Sequence, residues 1–272
     1  MTNVSREIIF APKPILVFLV LLACQFVATY SGECAEVYAV HYPPLMIRDG
    51  GERPGFAIEI IQAAEKRLGE KSTVRFYTFA RMTKTLLNRD NGLFPTLYRN
   101  PQREEKFQWI AKVFVVENSF MTTGQPVNSL EQARQLDKIG VVDKTALHEF
   151  LLKNNFTNLE VVNRPEINAR KLAAGRIDAW FLTTFLARMI WNQEHIPTPL
   201  VAGVPITRPE AYIAANLDFP KPLAKQYRLA IVAMHRDGTI KKIVRRYGLD
   251  IDDDQVIVFP TNYTGLIDNL GS

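Results

Sequence analysis

Two side chains in this sequence are suited to holding an anion, and each stands beside a turn. In the stretch RNPQREEKFQW, residues 99 to 109, Arg103 follows a proline-led turn and precedes two glutamates and an aromatic pair. A guanidinium is a planar fork of donors that matches a carboxylate bidentately. Standing alone, such an arginine reads as a surface residue in the first turn of a helix. Thr145 follows the strand-like IGVV and opens the helical TALHEFLL. Its hydroxyl either caps that helix or turns to a ligand carboxylate, beside backbone N–H groups that carry partial positive charge.

Catalytic and metal chemistry finds less support. His41, His148, His195 and His235 show no paired ligand spacing, and with no mature cysteine pair there is no zinc motif. The GxSxG, Walker and dinucleotide fingerprints are absent. DIDDD at 250 to 254 lacks the glycine and distal glutamate of a calcium loop and reads as a solvated loop. Nothing here requires turnover, and no metal or cofactor is expected.

The elements that must position Arg103 and Thr145 alternate. VYAVHY (37 to 42) reads as a strand and GFAIEIIQAAEKRLG (55 to 69) as a helix with Phe56, Ile60, Ile61, Ala64 and Leu68 on one face; TVRFY (73 to 77) is a strand and RMTKTLLNR (81 to 89) helical. A second series runs KIGVV, TALHEFLLKN, LEVV, EINARKLAAG, DAWFL and TFLARMIWNQ between residues 138 and 193. Such βαβα order implies parallel sheets with crossover helices. The series occurs twice, separated by a polar stretch around residues 122 to 131, which implies two α/β lobes. AYIAAN (211 to 216) and the helices KPLAKQYRLAIVAMHRDG and TIKKIVRRYGL close the chain. Trp109 and Trp180 adjoin strand patterns and are expected in the core.

The chain has 272 residues, 47% hydrophobic and 22% charged, enough for one large or two modest domains and incompatible with disorder. The net charge of +5 and pI near 9.1 come from scattered Lys and Arg without a basic block, which argues against nucleic-acid binding. Residues 1 to 35 read as a cleavable signal peptide: Arg6 and Lys13, then the apolar run Pro14 to Ala28, then small and polar residues. That run of about 15 residues is short of the ~20 that span a bilayer, and no later run is longer. Cys24 weakly resembles a lipoprotein box, but Leu22 is not the usual small residue. The two cysteines, Cys24 and Cys34, lie in or beside this leader, so the mature body has no internal disulfide, and the expected location is the periplasm.

In order, YPPLMIRDG, GFAIEIIQAAEKRLG, NPQREEKFQW, KIGVVDKTAL, AAGRIDAWFL and MHRDGTIKKIVRRYGL resemble the extracytoplasmic solute-binding proteins of family 3, the polar-amino-acid-binding type. The resemblance implies a bilobed periplasmic-binding-protein-like fold of type II, with lobe 1 from 36 to 117, lobe 2 from 118 to 210, and a return to lobe 1 from 211 to 272. It implies a monomer whose lobes close over a ligand by a two-segment hinge, delivering it to an ABC permease or a membrane receptor. In the family an Arg in Thr-Pro-Glu-Arg clamps the ligand carboxylate, and NPQR matches with Asn100 and Gln102 substituted. Thr96 and Tyr98 fall where the family completes that pocket, Tyr42 where an aromatic wall stands, and Phe79 or Arg81 on the opposite side. The rival on the same scaffold is a cyclohexadienyl-dehydratase-like enzyme, which needs a protonated cleft acid that Glu149, Glu160 and Glu166 do not single out.

One departure bears on the ligand. Relatives that bind α-amino acids usually place an aspartate five residues beyond the Asp of Gly-Arg-x-Asp-Ala, where GRIDAWFLTT has Thr183; Asp178 itself reads as serving the strand and turn. Ala39 and Ala57 also stand where many relatives carry acids. A threonine supplies no charge to balance a desolvated ammonium, so the expected ligand is a carboxylate that is not a standard zwitterionic α-amino acid.

Overall fold

The computed structural model describes residues 35–89 and 91–260. The expected leader and the last twelve residues of the expected return segment lie outside them. No helix among the described residues is long and apolar enough to cross a membrane.

The first lobe is built on β1 (Glu36–Val40), β2 (Thr73–Tyr77) and β3 (Gly92–Tyr98), with β1 pairing in parallel with both others. Two helices make the crossovers, α1 (Phe56–Leu68) and α2 (Phe79–Leu87). Helix α1 shows the expected periodicity, burying Phe56, Ile60, Ile61 and Ala64. Gly55 starts it at φ 102°, where a Cβ would lie 2.3 Å from the Leu45 carbonyl oxygen, so a larger residue would clash as well as strain. The sheet is completed by β4 (Gln108–Val115), which leads into the second lobe.

The second lobe comprises β5 (Asn118–Thr122), α3 (Leu130–Arg134), β6 (Ile139–Val142), α4 (Ala146–Lys153), β7 (Leu159–Val162), α5 (Pro165–Ala173), β8 (Ala179–Thr183), α6 (Thr184–Gln193) and β9 (Val201–Ala202). Its sheet order is β7-β6-β8-β5-β9. The chain then returns as β10 (Glu210–Ala215), which inserts antiparallel between β3 and β4 to give the order β2-β1-β3-β10-β4. Helices α7 (Lys221–Arg236) and α8 (Thr239–Arg245) and the short pair β11 (Asp250–Ile251) and β12 (Ile257–Val258) follow.

The crossing between lobes occurs at Val116 and Glu117, ahead of the polar stretch at 122 to 131, because β5 already pairs with β8 and β9. Outbound and return segments are laced together: Val116 N–H donates to Pro209 O, and Asn118 N–H to Thr207 O. A third segment joins them, since Val115 N–H donates to Gln255 O at 2.7 Å. The DIDDD stretch is therefore more than a solvated loop. Asp250 pairs with Arg245, and Asp252 Oδ1 accepts from Val256 N–H, closing the turn that presents Gln255 to the crossing.

Trp180 is fully buried, whereas Trp109 is only partly so, its indole N–H donating to Glu104 O at 3.2 Å. Asp178 Oδ2 accepts from Lys138 N–H, in keeping with its expected turn role.

Candidate functional site

The parallel strands of lobe 1 end together, and the predicted aromatic residues stand at those ends. The pair Val40–Tyr77 between β1 and β2, carried two residues forward, aligns Tyr42 with Phe79. The pair Val37–Leu93 between β1 and β3, carried five forward, aligns Tyr42 with Tyr98. Phe79, Tyr42 and Tyr98 thus all stand at the carboxyl ends of the lobe 1 strands, the place where open α/β sheets bind ligands. Phe79 is 47% exposed and Tyr42 45% exposed.

Arg103 lies against Phe79 and Tyr98. Its guanidinium carbon is 5.6 Å from the Phe79 ring centroid, within cation–π range, and its Nη1 donates to Tyr98 O at 3.1 Å. The side chain is half-buried and makes no ion pair among the described residues. Burial lowers its pKa from the usual arginine value, an effect partly offset by the Glu149 carboxylate of α4. The expectation of a helix beside Arg103 is corrected: residues 101–106 form consecutive turns that lead into β4. Asn100 supports those turns, its Oδ1 and its backbone O each accepting from Arg103 N–H at 3.1 Å. Arg99 is paired with Glu104 and lies over Trp109 and Tyr212, pinning the flank. The guanidinium therefore has no helix dipole behind it.

The other lobe 1 residues divide. Thr96 is buried in β3, beside a bulge where Phe94 and Leu97 face Ala214 and Tyr212. The Arg81 guanidinium carbon lies 5.2 Å from the Tyr77 ring centroid. Phe79, not Arg81, supplies the contact to the clamp. Ala39 and Ala57 are fully buried within lobe 1, so their lack of charge says nothing about the cleft.

In lobe 2, Thr145 is the N-cap of α4. Its Oγ1 accepts from His148 N–H at 3.2 Å and donates to Val142 O at 2.8 Å, so one lone pair remains for a ligand donor, and the adjacent backbone N–H groups carry the anion-binding capacity. Thr183 ends β8 and is buried. Its hydroxyl donates to Asn118 Oδ1 at 2.7 Å, and Asn118 Nδ2 donates to Thr207 Oγ1 at 2.9 Å. This chain ties lobe 2 to both crossings. Asn118 and Thr207 carry no sequence signal, because their partnership spans 89 residues and exists only through the topology.

The acids considered for a dehydratase role are placed as follows. Glu160 is bound to Lys171 at 2.5 Å, and that lysine holds its carboxyl below the usual range. Glu149 is exposed and feels Arg103. Glu166 opens α5 with one carboxyl oxygen buried and unpartnered among the described residues. A pocket of about 520 Å³ adjoins this region on the hinge side, between the back of the Arg103 turn (Asn100, Pro101) and the return segment (Arg208, Pro209); none of the eight predicted residues lines it.

The sequence matches the model of the bacterial extracellular solute-binding proteins, family 3, over residues 37–250. No curated protein matches it. Among solved structures it is similar to a histidine kinase sensor domain with similarity to periplasmic binding proteins, at 18% identity and TM-score 0.63, covering 78% of this chain and 95% of that one. It is also similar to the GluR0 ligand-binding core from Nostoc punctiforme in complex with (L)-glutamate, at 14% identity and TM-score 0.62 over 78% and 98% of the chains. An ancestral arginine-binding protein bound to arginine matches at 17% identity and TM-score 0.59 over 78% and 96%. At these identities the likeness concerns the fold.

Proposed function

This chain belongs to the bacterial extracellular solute-binding proteins, family 3, and from that premise we propose that it is a periplasmic binding protein that captures a small carboxylate-bearing solute by closing its lobes, for delivery to an ABC permease. The observation that carries the reading is the half-buried Arg103 guanidinium, stacked on Phe79 and without a carboxylate partner among the described residues. A desolvated cation left unpaired is costly and is relieved when a ligand anion arrives. Closure brings that anion toward the N-terminus of α4 at Thr145, which adds backbone donors from the facing lobe.

The departure at Thr183 favours a ligand without an α-ammonium, with exposed Glu149 of α4 the acid near the clamp that makes no ion pair among the described residues. Asp143, at the end of β6, is held by His148 at 3.5 Å and Lys144 at 3.8 Å. Glu117, at the crossing, is held by Arg208 at 3.3 Å. Glu166 lies in the first turn of α5, with one carboxyl oxygen buried. Thr183 offers only a hydroxyl, already donated to Asn118.

A thermal-shift screen against organic acids, amino acids, amines and sugars tests the reading, because a ligand that binds the native state raises its stability by mass action. At least one carboxylate raises the melting temperature. A shift with a neutral sugar or a polyamine and with no carboxylate overturns the proposal. The likeness to a histidine kinase sensor domain favours a second reading, in which the closed form signals to a membrane receptor.

A further inference from the structure

The Tyr42 and Tyr98 hydroxyls are unused by the carboxylate clamp. Tyr98 holds Arg103 through its backbone carbonyl, so its phenol is a separate group. Neither phenol oxygen has a hydrogen-bond partner among the described residues, although other tyrosines in the protein do: Tyr38 donates to Glu36, and Tyr212 to Glu210. Tyr42, two residues past β1, and Tyr98, the last residue of β3, both stand at the carboxyl edge of the sheet. They are close enough that ionisation of Tyr42 would raise the pKa of Tyr98. Burial raises both phenols above the ordinary tyrosine value, so both keep their protons at neutral pH and remain donors.

We infer that Tyr42 and Tyr98 read a second oxygen of the ligand, so that the cleft selects carboxylates bearing a keto, hydroxyl or further carboxylate oxygen over plain aliphatic acids. This rests on the reading of Arg103 as the carboxylate clamp. Arg103 contacts both the Phe79 ring and the Tyr98 carbonyl, so a carboxylate it holds would lie beside the two tyrosines. Both rings are only partly covered, so a ligand laid over them takes the place of water at the phenols. An oxygen on the ligand restores the hydrogen bond made to that water, whereas a methylene does not.

The test is calorimetry on the full exported chain with butyrate, 2-hydroxybutyrate, 2-oxobutyrate and succinate, repeated on Tyr42→Phe and Tyr98→Phe. Circular dichroism confirms that the variants fold. The parent binds the oxygen-bearing acids roughly threefold to tenfold tighter than butyrate, the range expected of one or two added hydrogen bonds. Each Phe variant narrows that ratio, and the double variant brings it close to one. Equal binding of butyrate and the oxygenated acids, or a ratio that survives both substitutions, overturns the inference and leaves the clamp standing. If Arg103→Ala binds all four acids as the parent does, the clamp itself is wrong and the inference falls with it.

Discussion

Arg103 and Phe79, 24 residues apart, meet with the guanidinium carbon 5.6 Å from the ring centroid. The contact joins the turn after β3 to the first residue of α2, on the far side of β1. It holds the guanidinium at the edge of the sheet without neutralising it, since a ring face attracts the cation but leaves its outer N–H donors available.

Replacing Arg103 with Ala is expected to weaken carboxylate binding by roughly 2 to 5 kcal/mol, and Lys to recover part of the loss, because a point charge does not reproduce a bidentate fork. Calorimetry with whichever carboxylate the thermal-shift screen identifies measures it. Unchanged affinity in Arg103→Ala would return the residue to the surface.

Much of this arrangement was legible where one physical signal dominated. The i, i+4, i+8 spacing of α1 and the alternation of TVRFY yielded those elements within a residue or two. Strand β3 was missed because Pro95 interrupts its pattern; the structure accommodates the proline at a bulge opposite Ile213. Around Arg103 the proline-led turn suggests the start of a helix, whereas Asn100 side-chain bonding and the pairing of β4 into the sheet give turns. The roles of Asn118 and Gln255 were invisible for another reason: each is defined by a partner brought close only when the chain has crossed between lobes and returned.

Stability should fall as the pH drops below neutrality, through His235. Burial lowers its pKa from 6.5, and its Nε2 is buried without a partner among the described residues. The unfolded chain therefore takes up a proton near pH 6.5 that the folded state takes up only at lower pH. Stability from this group is complete above 6.5, is lost as pH falls through that value, and levels off below the folded pKa. Urea unfolding between pH 7.5 and 5 should show the slope, and His235→Gln should flatten it. Identical slopes in the two proteins would mean that His235 titrates alike folded and unfolded.

Tyr247 should prove a structural anchor of the return segment. Its hydroxyl donates to Glu59 and accepts from Gly55 N–H at 3.0 Å, tying the end of α8 to the start of α1. Tyr247→Phe leaves a buried N–H and a carboxylate oxygen short of partners, at a cost of about 1–3 kcal/mol. Chemical denaturation reads this directly, and a midpoint within error of the parent would show that water or a neighbour replaces the hydroxyl.

Thr183 provides the sharpest test of what the cleft refuses. Its hydroxyl donates to Asn118 Oδ1 at 2.7 Å, so the side chain faces the crossing at the floor of lobe 2. Thr183→Asp puts a carboxylate there, which repels that amide oxygen until Asn118 turns its Nδ2 over and gives up Thr207. The rearrangement should lower stability by about 1 kcal/mol. In exchange the cleft gains the anion that a ligand ammonium requires. Measured by calorimetry with glutamate and 2-hydroxyglutarate, the ratio of affinities should move toward the amino acid by on the order of tenfold, or about 1.4 kcal/mol. Tight binding of an ordinary amino acid by the parent would refute the ammonium-free reading and point to Glu149, which acts on Arg103 and makes no ion pair among the described residues, as the counter-charge. A variant with unaltered selectivity would place Thr183 outside the reach of the ligand and assign the threonine to the hinge alone.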